Sequence, residues 1–348
     1  MNKSEQILSA FSQMFFYKDL VQENLYFTLK GDTERELADL LLNLGDLIIA
    51  IQLKARSESE QTTNQETELK WLEKKCKVAK KQIKDTICYI SSEQLPEFQN
   101  VRGEKISINP DAHIIPLIIF VNYEINNYPH VLVKHSEKGI DVNCMSLPDF
   151  QEMCRILVAP IEIVSYLEYR QTFYERNPQI NLLFYADEND DIILTHPMKE
   201  QALVYQFLAI EYNVQKASER TNYLHDFQTF LHLLPEHTVE KSEEAAPHSI
   251  LLFMAHFNRL EIKAFNERLQ LAKEKSKSCQ YGIVGSLRRE DVKYAIFFVA
   301  SKPGCMLPIE YLLQLARQKA DVNKLLQIVV YWENSEEFRI DYVFWYKT

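Results

Sequence analysis

Glycine is scarce in this chain, seven among 348 residues. Few positions can therefore demand a left-handed backbone, and a glycine found at a turn is informative. No apolar run approaches the roughly 20 residues a membrane-spanning helix needs, so no span and no membrane partner are expected. The N-terminus lacks a basic stretch followed by a sustained apolar one, which argues against a secretory signal. Cys76, Cys88, Cys144, Cys154, Cys279 and Cys305 include no C-x-x-C pair and keep no regular spacing. Zinc and disulfide frameworks are thus disfavoured, and reduced thiols in a cytoplasmic protein are expected. Positive charge is also short: 39 Lys and Arg against 49 Asp and Glu, a formal net charge of −10. A chain this acidic does not bind nucleic acid indiscriminately. Such contact has to come from a local basic patch, a metal or a partner. No clear internal repeat is present.

The length implies two or three domains, and 46% apolar residues suffice for sizeable cores. Residues 3–29 read as one or two helices, with Ile7, Phe11, Met14 and Phe15 at helical spacing. Residues 36–54 read as a β-hairpin, two apolar arms around a Leu44-Gly45 turn. A two-residue loop there sets Asp39 opposite Ala50. Side chains alternate along a strand, so Ala50, Gln52 and Lys54 share a face with Asp39, and Gln52 is its diagonal neighbour. Leu40, Leu42, Leu47, Ile49, Ile51 and Leu53 fill the other face. Polar groups on so apolar a hairpin are costly unless paired or bound to a metal. One reading is a Lys54–Asp39 ion pair at a strand end. The other is a metal site, with oxygens from Asp39, Gln52 and the Leu53 carbonyl suited to Mg²⁺.

Asp39, a spacer and Gln52-x-Lys54 resemble the PD-(D/E)XK phosphodiesterase superfamily of restriction-type nucleases. Ala38 stands where the name has Pro, and Gln52 where many members have Glu. The run from Glu36 through the Gly-Asp turn to Lys54 is similar to a subgroup found in prokaryotic anti-phage proteins. The likeness covers roughly residues 20–175. It implies a restriction-endonuclease-like mixed sheet flanked by helices, Mg²⁺ or Mn²⁺ as cofactor, and metal-dependent hydrolysis of DNA. Asp39, Gln52 and Leu53 would hold the metal, and Lys54 would orient or deprotonate the attacking water. The superfamily often draws a further acidic ligand from ahead of the hairpin. Glu36 is the candidate, with Glu34 and Glu23 behind it.

After Lys54, the polar stretch Arg56–Glu66 has no apolar anchor and reads as a flexible flank of a substrate groove. Residues 67–90 form a helix with an apolar stripe of Leu69, Leu72, Cys76, Ala79, Ile83, Ile87 and Ile90. Lys70, Lys74, Lys77, Lys81 and Lys84 make a second stripe. It is either a solvated face or a ladder of cations for a phosphate backbone. By the resemblance, Gln82 would support the metal site. His113–Val121 looks like a buried central strand, with Pro116 pointing to a bulge or an edge. Helices follow from Leu147 and from Ala159.

The expected organisation is α+β or α/β: a nuclease-like domain over 1–177, a hairpin and helical segment over 178–240, and a C-terminal α+β domain over 248–348. The last shows no nucleophile, phosphate loop or metal set, and is expected to bind partners or regulate. The chain as a whole reads as a DNA endonuclease of a defence assembly, working as a homo-oligomer or with a second protein. The alternatives are a nuclease fold that binds DNA and scaffolds an assembly, and an RNase.

Overall fold

The hairpin closes one residue later than its apolar pattern predicts. Leu44 N–H donates to Leu47 O at 2.9 Å, so Gly45 and Asp46 form the loop. Gly45 takes φ 83°, and its N–H donates to Asn43 Oδ1 at 2.9 Å. Glycine at positive φ in the first of two loop positions suits a II′ hairpin, whose twist matches the strands it joins. The sequence reading placed glycine second. The shift moves the register by two residues, which keeps every side chain on its expected face.

This computed structural model describes residues 3–23, 25–29, 33–92, 98–99, 105–125, 128, 130–132, 141–177, 183–186, 192–195, 200–214, 222–237, 247–289, 293–302, 311, 314–315, 318, 322, 324–332 and 338–346. They divide into two compact units, 1–219 and 220–348. Among them, no helix is long and apolar enough to cross a membrane.

The first unit runs α1 (Lys3–Phe15), β1 (Val21–Glu23), β2 (Tyr26–Leu29), β3 (Thr33–Glu36), β4 (Leu40–Asn43), β5 (Leu47–Ala55), α2 (Gln65–Ile90), β6 (Phe98–Gln99), β7 (Lys105–Ile106), β8 (His113–Val121), β9 (Val131–Leu132), β10 (Val142–Ser146), α3 (Leu147–Leu157), α4 (Pro160–Arg176), β11 (Leu183–Ala186), β12 (Ile192–Thr195) and α5 (Glu200–Tyr212). Its main sheet has six strands in the order β1-β4-β5-β8-β10-β9. The β5-β8 and β8-β10 pairs are parallel and the others antiparallel, so the sheet is mixed. β8 is the central strand its apolar run predicted. Pro116 lies within it, opposite Ala50, and the missing N–H is tolerated for a positional reason. His113 N–H points to Asp46 on the β5 side, so alternation turns position 116 towards β10, whose pairing starts only at Leu117.

Helices cover both faces. α2 buries Leu72, Cys76, Ala79 and Ile83 against Ile118, Phe120 and Cys144. The opposite face carries a row of Glu23, Leu40, Ile51, Leu117 and Asn143 across five strands. Glu23 accepts from Gln13 of α1, and Asn143 donates to Leu167 O of α4, so α1 and α4 lie on that face.

The stretch 178–240, expected to stand apart, is shared between the units. α5 joins the first because Glu200 meets the fully buried Arg170 of α4 at 2.7 Å. Arg170 also donates to Asn143 Oδ1 and to the His130 and Cys144 carbonyls. His130 stacks on Tyr174 with ring centroids 4.5 Å apart. Burial, with Arg170 beside it, pushes the His130 imidazolium pKa down to about 3. An unfolded chain protonates its imidazole near pH 6.5. Below that pH the unfolded state binds a proton the fold refuses. Stability is therefore expected to fall as pH drops from about 6.5 towards 3, by about 1.4 kcal/mol per unit well below 6.5. Urea midpoints across this range should show a shallower loss for His130→Phe than for the natural chain.

The second unit runs α6 (Asn222–His237), α7 (Pro247–Ala255), α8 (Arg259–Lys277), β13 (Gly282–Arg289), β14 (Tyr294–Ser301), β15 (Lys324–Trp332) and β16 (Phe338–Tyr346). α7 and α8 are separate helices, because Asn258 and Glu261 form a capping box that starts α8 afresh. The strands make one sheet in the order β13-β14-β15-β16. Phe227, Phe230, Phe257, Phe265 and Phe298 pack edge to face or stacked between the helices and the sheet. The sequence also offers a charged turn, Asp187–Asp191, and a helix over 308–320; the turn and most of that helix lie outside the described residues.

Candidate active site

β4 stops at Leu40, opposite Ile51, while β5 runs on to Ala55. Leu53 N–H thus projects past the last β4 pair, and Asp39 takes the place of the missing strand. Its Oδ2 accepts from Leu53 N–H at 2.6 Å and lies 3.4 Å from Lys54 Nζ. Lys54 Nζ also donates to Gln52 Oε1 at 3.0 Å. Asp39 precedes β4 as a bend, one residue outside the last strand pair, and its carboxylate reaches the Leu53 N–H and Lys54 where the sequence implied a place diagonal to Gln52. A strand residue turns its N–H and C=O towards the same neighbour, so the Leu53 carbonyl leaves β5 on the Asp39 side.

The cluster is largely enclosed. Gln52 is 2% exposed, and the Lys54 and Asp39 side chains are 12% and 14% exposed. Burial raises the Asp39 pKa, and it outweighs the Lys54 ammonium and the Leu53 N–H, which pull the other way. Glu5, in the first turn of α1, adds a further push upward. Glu5 was not among the acids the sequence pointed to for this site. An acid in the first turn of the helix ahead of the hairpin was the available signal.

Glu36 ends β3, opposite Tyr26, and its side chain lies outside the described residues, as does that of Glu34. Glu23 sits opposite Leu40, on the face turned towards α1, and accepts from Gln13 at 2.6 Å. Lys70, Lys74, Lys77, Lys81 and Lys84 are exposed on the side of α2 away from its buried stripe. Lys70 pairs with Glu66 at 2.6 Å. Gln82 is exposed on the flank of α2, and its carbonyl accepts from Thr86 Oγ1 at 3.0 Å.

The stretch after β5 has an anchor that apolar patterning could not reveal. Glu68, wholly buried, pairs with Arg56 at 3.2 Å and accepts from Asn122, from Thr62 N–H and from Thr62 Oγ1. Arg56 Nη2 donates to Glu60 O at 2.8 Å, and its guanidinium lies 5.6 Å from the Trp71 ring. Burial opposes the Glu68 charge, but these bonds outweigh it and hold the carboxyl below its ordinary range. One carboxylate therefore ties the ends of β5 and β8 to the first turn of α2.

Among the described residues, no three His, Cys, Asp or Glu side chains gather as a metal cluster. The donors at Asp39, Gln52 and the Leu53 carbonyl are all hard oxygens. Mg²⁺ commonly uses only one or two carboxylates, keeping waters or substrate phosphate for the rest, so this donor set fits it. Compared with family models, with curated proteins and with solved structures, the chain matches none.

Proposed function

We propose that the chain is a metal-dependent DNA endonuclease with a restriction-endonuclease-like first unit. One observation carries this reading: Asp39, Gln52 and Lys54 converge where β5 outruns β4, with Asp39 fixed by the Leu53 N–H. The mixed sheet with helices on both faces supports it. Asp39, Gln52 and the Leu53 carbonyl would hold Mg²⁺ or Mn²⁺, which supplies Lewis acidity when bound. Lys54 orients or deprotonates the attacking water and offsets charge on the phosphorane. The exposed lysines of α2 meet the phosphate backbone. A chain with net charge −10 needs such a local patch, and a partner or a second copy, to hold DNA. The anti-phage setting rests on the resemblance alone.

One observation favours a second reading, a nuclease fold that binds DNA without cutting it. Lys54 already bonds both the Asp39 and the Gln52 oxygens, as a structural ion pair does. The test is incubation of the purified chain with plasmid, linear DNA and RNA in Mg²⁺, Mn²⁺ or EDTA. DNA cleavage that EDTA abolishes is the expected result. Retarded but intact DNA supports the second reading, cleavage confined to RNA makes the protein an RNase, and neither binding nor cleavage overturns both DNA readings.

A further inference from the structure

Among the described residues, the two larger sheets end in four edge strands, and three of these are built to refuse a partner. β1 and β9 are three and two residues long. β13 is longer, but its register shifts at Ile283–Gly285, and Arg268 of α8 donates to the Ser286 carbonyl at 2.8 Å. It also ends in Arg288 and Arg289. Short length, bulges and edge cations are the usual means of preventing strand addition.

β16 has none of them. It runs nine residues, Phe-Arg-Ile-Asp-Tyr-Val-Phe-Trp-Tyr, without Pro, Gly, Lys or a register shift. Seven of the nine are apolar or aromatic, so the strand has no gatekeeper beyond one Arg and one Asp. All nine pair with β15, and among the described residues no strand pairs with the other side. Every second residue therefore turns its N–H and C=O outward. A long apolar edge in this state is a template for another strand.

We propose that β16 is a dimerisation edge, pairing antiparallel with β16 of a second copy of this chain to make one continuous eight-stranded sheet. Three features point to a copy rather than a foreign strand. An antiparallel pair about a two-fold axis through Tyr342 overlaps all nine residues and sets like faces opposite each other, so the even-numbered row, all apolar or aromatic, continues across the axis. The two charges of the strand, Arg339 and Asp341, are joined at 2.9 Å, so the edge offers no net charge to its twin. Tyr342, on the axis, already meets Phe230 of α6 edge to face, which holds the middle of the strand in place for a partner. The proposal does not depend on the nuclease reading.

The test uses the full chain. Sedimentation at micromolar concentration should show a dimer, with outward amides of residues 338–346 slow to exchange. In the proposed register Asp341 lies diagonal to its own symmetry mate. Asp341→Lys sets two cations there and is expected to give a monomer with an unchanged circular dichroism spectrum. Mixed with the natural chain, the same variant should form a heterodimer, since Lys then faces Asp; native mass spectrometry reads both species. A monomeric natural chain overturns the proposal, as does a dimer that Asp341→Lys leaves intact. A variant that neither folds nor pairs with the natural chain, beside a natural dimer whose residues 338–346 exchange freely, overturns it as well.

Discussion

Asp39→Ala should cut metal-dependent cleavage by about 100-fold or more and leave the fold almost untouched. The two halves have separate causes. Asp39 is the one carboxylate fixed in the cluster by hydrogen bonds to both Leu53 N–H and Lys54, so its loss removes a metal-binding oxygen and frees the lysine. Losing even an outer partner of a metal costs 10- to 100-fold in many sites, and a direct ligand more. Stability should move by less than about 1 kcal/mol, because the raised pKa shows that burial disfavours the charge being deleted. Thermal melts supply a readout independent of cleavage. Saturating Mn²⁺ should raise the melting temperature of the natural chain but not of the variant, as metal at about 100 times its Kd is worth about 2.7 kcal/mol. Gln52→Glu restores the commoner ligand of the resembled family and should retain activity. Cleavage by Asp39→Ala at the natural rate would sink the assignment.

Glu200→Ala should have the largest effect on the fold, about 3–5 kcal/mol. Arg170 is fully buried, and Glu200 is its anionic partner at 2.7 Å. Removing one member of such a pair leaves an uncompensated charge in a low-dielectric interior. The double change Arg170→Met with Glu200→Leu should recover part of the loss, because neither charge is then buried. Recovery stays partial, since the His130 and Cys144 carbonyls lose their donor. Hydrogen exchange in α4 and β10 is the suitable probe, because a chain of two units need not unfold in one step. A loss below about 1 kcal/mol for Glu200→Ala would show that Arg170 finds solvent or another anion.

What the sequence disclosed followed the range of its physics. β8 and α2 were legible because apolar periodicity is local and both elements are long. Asp39, Gln52 and Lys54 were legible as a group because strand alternation survives a shift of two residues. The turn itself was misplaced, since Leu44-Gly45 and Gly45-Asp46 both give plausible two-residue loops. The Leu44 N–H to Leu47 O bond and the Asn43 side chain on Gly45 N–H select the second. Glu5 and Glu68 were not legible as parts of the site. Each acts across a long sequence separation, Glu5 on Asp39 and Glu68 on Arg56 and Asn122. The division of 178–240 turned on Arg170 and Glu200, two charges that composition alone places at the surface.

The Gly45–Asp46 loop acts as a ruler set at the far end of the hairpin from what it measures. Asp39 and Gln52 each stand several residues from the turn, yet which two residues form the loop decides that both reach Lys54. A two-residue loop placed one position earlier would shift the register by two residues, keep the Asp39 carboxylate on its face and slide it along β5 by about 7 Å. The hairpin tip is thus constrained in where it turns, although it stands at the far end of the hairpin from the cluster that depends on it.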